Sequence, residues 1–175
     1  AIPDARVTFD FYRPYTSIGF LLERHINNTG KVRLSEYIDT IFYSSQMHGF
    51  GAWDYNDNQE KVQINHNNPK GVVRSIQQNY QEAEKNNTYL DCHVSVFSPE
   101  WFQLLMVDLY ISQLIPFVPE FVISARNEFF VSMIRPEKYK EMNEDYFVMW
   151  KSKLLERINK NRKKVLLRNL EPYYL

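Results

Sequence analysis

The sequence predicts an α+β protein, with a small mixed or antiparallel sheet packed by four to five helices and a long basic C-terminal helix or arm. Three observations lead to this class. Short segments alternate apolar and polar residues, as strands do, and longer segments place apolar residues three and four positions apart, as helices do. The last 41 residues combine helical spacing with an excess of positive charge.

The alternating segments predict the strands of the sheet. Residues 6–12, 61–65 and 89–97 are each expected to form a strand, and residues 89–97 show the clearest pattern because Cys92, Val94 and Val96 fall on one side. Residues 121–134 contain two alternating runs separated by three polar residues. A hairpin is favoured there over a helix.

Capping residues predict where the helices begin. In the strongest signal, Ser98 supplies a hydroxyl cap, Pro99 stands at the first helical position and Glu100 places an acid in the first turn. Thr16 or Ser17 is the expected cap of the first helix. The helices are expected over residues 16–26, 36–47, 69–85 and 99–114, with a fifth from residue 136 onward.

The formal net charge of zero results from cancellation between two parts of the chain. Residues 1–134 contain 10 basic and 15 acidic residues, whereas residues 135–175 contain 11 basic and 6 acidic residues. We therefore divide the chain into an acidic α+β body, residues 1–136, and a basic C-terminal helix with an apolar tail, residues 137–175, that together form one structural unit. Such charge asymmetry indicates interaction with a partner.

Catalytic signatures are weak in this sequence. Cys92 and His93 are neighbours on a predicted strand and would point to opposite faces, so they cannot act as a nucleophile and its base. There is no glycine-rich phosphate loop. A set of metal-capable side chains matches no known ligand spacing: His48, Asp54, Asp57, Glu60 and His66. We expect a non-enzymatic protein without catalytic residues, metal or cofactor.

Location is constrained by what the N-terminus and the cysteine content suggest. No apolar run is long enough to span a bilayer, and the first residues lack a charged region followed by an apolar core. A single cysteine excludes a disulfide framework within the chain. These features predict a reducing intracellular compartment, with no visible secretion signal.

The basic C-terminal segment is the expected partner-binding site. Docking on an acidic protein surface is favoured over a solvated helix face, nucleic-acid binding and membrane-surface binding, because apolar residues continue beyond the basic run. The candidate partner-binding residues are Lys151, Lys153, Arg157, Arg162, Lys163, Lys164, Val165, Leu166, Leu167, Arg168, Tyr173, Tyr174 and Leu175.

One stretch resembles a known family. The expected strand at residues 93–97, the helix that follows, and the proline and aromatic residues at 114–121 are similar to a segment of tail sheath terminator proteins of contractile-tailed phages. The resemblance covers about 30 of 175 residues and implies a place in a virion neck or tail.

These observations predict a structural or connector subunit of a large protein assembly, with a phage neck or tail component as the favoured instance. Its partners are expected to be proteins, in a homo-oligomer or a multi-subunit assembly, ahead of nucleic acid. The alternatives are a nucleic-acid-binding factor that uses the basic helix, a subunit of an organellar multi-protein complex, and a metal-dependent hydrolase or nuclease with its site near Asp54, Asp57 and His66.

Overall fold

Helices dominate the secondary structure, and two small antiparallel sheets accompany them. The computed structural model describes residues 1–54, 57, 61–64, 72–135 and 144–170, without the side chains of residues 144 and 162–170. The strands of this part are β1 (Ile2–Pro3), β2 (Ser45–Gln46), β3 (Gln63–Ile64), β4 (Val118–Ala125) and β5 (Glu128–Ile134). The helices are α1 (Ile18–Ile26), α2 (Leu34–Tyr43), α3 (Val72–Asn86), α4 (Pro99–Ile111) and α5 (Glu144–Leu170), preceded by one 3₁₀ turn at Ala5–Val7. The predicted α+β class is confirmed.

Backbone contacts divide the chain into two compact units. The N-terminal unit is Ala5–Val96, and the C-terminal unit combines Ala1–Asp4 with Phe97–Leu175. The N-terminal unit contains α1 to α3 and the β2–β3 pair, whereas the C-terminal unit contains α4, α5 and the three-stranded sheet.

A small apolar core holds the N-terminal unit together. Val7, Met47, Trp53 and Val62 are buried against one another, with Phe11 packed beside them. Met47 and Phe50 exchange two backbone hydrogen bonds around a tight turn. The two residues of that turn, His48 and Gly49, have positive φ angles of 52° and 83°, which is the geometry of a two-residue hairpin turn.

The three helices of this unit are tied to one another by polar side chains. The Ser17 hydroxyl caps α1 by accepting a hydrogen bond from the Phe20 amide at 3.1 Å, which confirms Ser17 as the cap. The guanidinium of Arg24 in α1 pairs with Glu36 of α2 at 2.6 Å. From α3, the Tyr80 hydroxyl donates to the Val32 carbonyl at 3.0 Å.

Both boundaries of the second helix differ from those expected. The second helix begins after Arg33 and ends at Tyr43, instead of spanning residues 36–47, because residues 45–50 form β2 and the tight turn. The Glu36 carboxylate accepts a hydrogen bond from the Arg33 amide at 2.8 Å. Glu36 was expected to be the first residue of this helix, and it instead helps to cap the helix from within its first turn. The expected starts of the third and fifth helices lie at residues outside the described part.

The strand expected at residues 6–12 does not form. Residues 5–7 make a 3₁₀ turn, and two further turns follow, in which the amide of Phe11 bonds Thr8 and that of Arg13 bonds Asp10. The alternation misleads here because Asp10, at a position expected to face solvent, is 1% exposed. The expected strand at residues 61–65 is confirmed only as the two residues of β3, and Asn65 lies outside the described residues.

The strand expected at residues 89–97 is also absent, although its apolar alternation is the clearest in the chain. The amide of Val96 donates to the Thr16 hydroxyl at 2.8 Å, and its carbonyl accepts from the Thr16 amide at 3.0 Å. A side chain thus takes a bond that a neighbouring strand would supply. Cys92 and Val96 are nevertheless buried, so the alternation predicts burial correctly without predicting sheet pairing.

The hairpin at residues 121–134 is confirmed and forms the main sheet. β4 and β5 pair antiparallel across a turn at Arg126 and Asn127, and β1 pairs with the start of β5. The strand order is therefore β1-β5-β4, with β5 in the centre and β4 at an edge.

Candidate functional site

The expected partner-binding segment lies on α5, which packs against α4. Leu104 of α4 forms a buried cluster with Leu154 and Ile158 of α5, and Val107 does so with Phe147. These three residues of α5 recur at intervals of four and seven, which places them on one face of the helix. Ser98 caps α4 through a hydrogen bond from the Trp101 amide to its hydroxyl, as the sequence predicts.

Two cations of the candidate set bind acids of α4 in the same unit. The Lys151 ammonium lies 2.6 Å from the Asp108 carboxylate, and the Arg157 guanidinium lies 3.7 Å from the Glu100 carboxylate. The Arg157 side chain is 63% exposed, so solvent screens that pair. The two pairs show that α4 and α5 run antiparallel, and that Lys151 and Arg157 already have partners within their own unit.

The other cations of α5 are Lys153, which lies between Lys151 and Arg157, and those from Lys160 onward. Lys153 and Lys160 are exposed. Because Glu100, near the start of α4, faces Arg157, the helix continues beyond α4 after about residue 161. That continuation is nine residues of helical backbone, about 13 Å long, to Leu170. It carries seven of the candidate residues, Arg162, Lys163, Lys164, Val165, Leu166, Leu167 and Arg168; Tyr173, Tyr174 and Leu175 fall outside the described residues.

An exposed apolar surface lies on the hairpin. Ile123 of β4 pairs directly with Phe130 of β5, and Phe121 stands two residues before Ile123, so all three side chains share one face. They are 53% (Phe121), 56% (Ile123) and 46% (Phe130) exposed, whereas Phe129 on the other face is fully buried. We refer to these three residues as the hairpin patch.

The N-terminal unit contains a buried ion cluster that the sequence did not predict. Asp10 binds the Arg13 guanidinium through one carboxylate oxygen and His93 Nδ1 through the other, both at 2.6 Å. The Arg13 side chain is 4% exposed and that of His93 is 32% exposed. The only sequence signal was a pair of opposite charges three residues apart, because His93 is 83 positions away from Asp10. The arrangement fixes the imidazole through Nδ1 and balances a buried guanidinium.

Cys92 lies in a polar but buried environment. Its sulfur is 3.0 Å from the Thr40 hydroxyl and 3.6 Å from the Glu36 carbonyl. Burial raises the pKa of the Cys92 thiol, although the Thr40 hydrogen bond acts in the opposite direction. A raised pKa disfavours the thiolate, which is the nucleophilic form.

A small open cleft of about 160 Å³ lies in the same unit, at the start of α1. Arg13, Ser17 and Glu36 contribute to its lining. Arg13 is paired with Asp10, and Glu36 is paired with Arg24, so two of the charges that line the cleft already have partners.

The metal-capable loop is only partly described. The Asp57 carboxylate accepts a hydrogen bond from the Asp54 amide at 2.8 Å, which is ordinary turn geometry, and Glu60 and His66 are outside the described residues. Within the described ranges, three or more metal-capable side chains do not gather anywhere. No helix in those ranges combines the length and the apolar content that crossing a bilayer requires.

Comparisons with known proteins return no relatives: no family model, curated protein or solved structure matches the chain. The fold and the site thus define a class, an α+β protein of two compact units whose basic C-terminal helix continues past the helix on which it packs.

Proposed function

We propose that this protein is a non-catalytic structural subunit of a protein assembly and that the end of α5, with the residues after it, is its contact segment. The observation that carries the proposal is the continuation of α5 beyond α4. Helices in globular domains bury an apolar face along their length, and among the residues whose side chains the structure describes, the packing of α5 on α4 accounts for that face up to Ile158.

The charge and composition of the continuation support a role in binding. Residues 162–170 contain four basic residues and no acid, together with four apolar residues. A segment that combines cations with large apolar residues suits an acidic, partly apolar protein surface. Because Lys151 and Arg157 already bind α4, the partner-binding set narrows to the exposed Lys153 and the residues from Arg162 onward.

The favoured setting, a virion neck or tail, has narrower support. It draws on the similarity of residues 93–121 to tail sheath terminator proteins. The helix of that segment corresponds to α4 and its proline–aromatic residues lead into β4, whereas residues 93–97 lie outside any strand. The general proposal, a subunit of an assembly, does not depend on this setting.

Deleting residues 165–175 tests the general proposal. We expect the full chain to sediment as a species larger than a monomer, and the shortened chain to sediment as a smaller species whose circular dichroism spectrum loses only the helical signal of residues 165–170. Leu154→Ala, which weakens the buried part of α5, serves as a matched control for a general loss of helix packing. Equal sedimentation of the full and shortened chains would overturn the proposal.

The second candidate is nucleic-acid binding by the same basic residues. It is favoured by the four cations between residues 162 and 168, which could neutralise phosphates. In that case affinity for DNA or RNA would fall steeply with added salt. Replacing Lys163 and Lys164 with Gln would then reduce the slope of the logarithm of the binding constant against the logarithm of the salt concentration. The reduction would be about one unit for each phosphate that is no longer neutralised. Weak binding that is insensitive to salt would dismiss this candidate.

A further inference from the structure

We infer that the free edge of β4 is a second contact surface, through which two copies of this chain pair their sheets antiparallel. Among the described residues, β4 has β5 on one side and no strand on the other. An edge strand leaves every second N–H and C=O without a ladder partner, and these groups bind another strand readily. This surface is distinct from the α5 segment of the proposed function.

The composition of β4 is unusual for an unpaired edge. Natural edge strands are usually short, charged or covered, whereas β4 has eight residues and exposes Phe121 and Ile123. Its protective features, Pro119 and Glu120, stand near its start. The exposed stretch 121–125 therefore has no charged residue of its own.

A second copy suits this edge because the apolar residues of β4 are arranged symmetrically. Phe121 and Ile123 flank Val122, so a two-fold axis through Val122 places Phe121 of one copy opposite Ile123 of the other, on the same face. An axis through Phe121 would place Ile123 opposite Pro119, and an axis through Ile123 would place Phe121 opposite Ala125. The β-bulge between Pro119 and Phe121 interrupts the ladder at Glu120, whose carboxylate accepts a hydrogen bond from Ser132 of its own copy, so the regular register of the joined edges covers Phe121 to Ile123.

The area of the hairpin patch sets the expected strength of this contact. From their exposed fractions, Phe121, Ile123 and Phe130 present roughly 300 Å² of side-chain surface in each copy. In the paired edges the two patches lie side by side on one face of the joined sheet, so only the flanks of Phe121 and Ile123 nearest the axis are covered, well below the ~1,200–2,000 Å² of stable interfaces. Backbone hydrogen bonds between the edges add to this, so we expect a weak dimer that forms with rising concentration.

Cysteine cross-linking tests the register directly. In Val122→Cys, the two introduced residues face each other across the axis, with Cα atoms about 5 Å apart, which is within disulfide range. In the matched control Ala125→Cys, the two residues are offset by six positions, about 20 Å. We expect Val122→Cys to form a covalent dimer at least tenfold faster than Ala125→Cys or the wild-type chain, whose own Cys92 is buried.

A charge substitution supplies the second measurement. Ile123→Lys would put two ammonium groups into the joined patches. The dissociation constant of the dimer, measured by sedimentation equilibrium, should therefore rise at least tenfold. Val73→Lys makes the same kind of change at an apolar residue of α3 that is 62% exposed, and should leave association unchanged. Equal cross-linking at positions 122 and 125, or equal association of the wild type and Ile123→Lys, would overturn the inference. Because the cross-link reports only the β4 contact, this result is independent of the deletion of residues 165–175.

Discussion

Asp10 shows how a single residue can reverse the expectation for a whole segment. The alternation around it predicts a strand with Asp10 facing water, yet its carboxylate is buried between Arg13 and His93. Burying an ion is unfavourable unless a partner compensates it, and Asp10 has two. The turns at residues 8–13 bring Arg13 back onto Asp10, and a strand could not do this because residues three apart point away from each other.

Replacing Asp10 should be strongly destabilising. In Asp10→Asn, the buried Arg13 guanidinium keeps its charge and loses its counter-ion, and breaking a buried pair in this way costs about 3–5 kcal/mol. Urea unfolding measures this loss. The control, Asp91→Asn, changes an exposed acid and should alter the unfolding free energy by less than about 0.5 kcal/mol. Equal stability of the two variants would show that the Asp10 cluster contributes little.

The Cys92 thiol provides a prediction about pH. Because burial raises its pKa in the folded chain, the contribution of this group to stability is full below the ordinary thiol value and is lost as the pH rises through the raised value. At about pH 9, where a free thiol is largely ionised, native Cys92 should react with iodoacetamide much more slowly than Cys92 in urea. Mass spectrometry follows the alkylation, and equal rates would contradict the buried, protonated state.

At the scale of elements, helix starts were more predictable than strands. Ser17 and Ser98 cap their helices as expected because capping depends on residues within one turn. A strand needs a partner, which is set by the whole fold, and residues 89–97 lack one even though their alternation is clear. The hairpin at residues 121–134 was predictable because its two strands are each other's partners.

The packing of α5 on α4 leads to a test with neighbouring residues. Leu154 is 1% exposed in the cluster with Leu104, whereas Leu155 is 38% exposed. Leu154→Ala should lower the unfolding free energy by about 2–5 kcal/mol. Leu155→Ala makes the same chemical change on the outer side of the helix and should cost less than about 1 kcal/mol. Similar losses in urea unfolding would mean that α5 does not bury the face described.

At the scale of the whole molecule, the distribution of charge is the property that stands out in the sequence. The structure uses two of the excess acids of residues 1–134, Glu100 and Asp108, to bind α5. With Lys151 and Arg157 engaged, the exposed Lys153 and Lys160 and the cations from Arg162 onward remain for a partner.

This layout predicts how solubility depends on pH. The chain has no net charge near its pI of about 7.1, so solubility should be lowest near neutral pH. Residues 162–175 contain four basic residues and one acid, so a chain ending at residue 161 has a net charge of −3. Its solubility minimum should move to more acidic pH, and precipitation with polyethylene glycol across a pH series measures the shift. An unchanged minimum would show that net charge does not control solubility here.

The sequence by itself determined the α+β class, the caps of α1 and α4, the hairpin and the basic character of the C-terminal helix. These features depend on neighbouring residues, through capping, turn geometry and local periodicity. Only the tertiary structure decided that Asp10 is buried beside His93, that Val96 bonds Thr16 instead of a strand, and that β4 has one neighbour among the described strands. Those outcomes depend on partners dozens of positions away, and the local pattern of a sequence does not specify which distant residue becomes the partner.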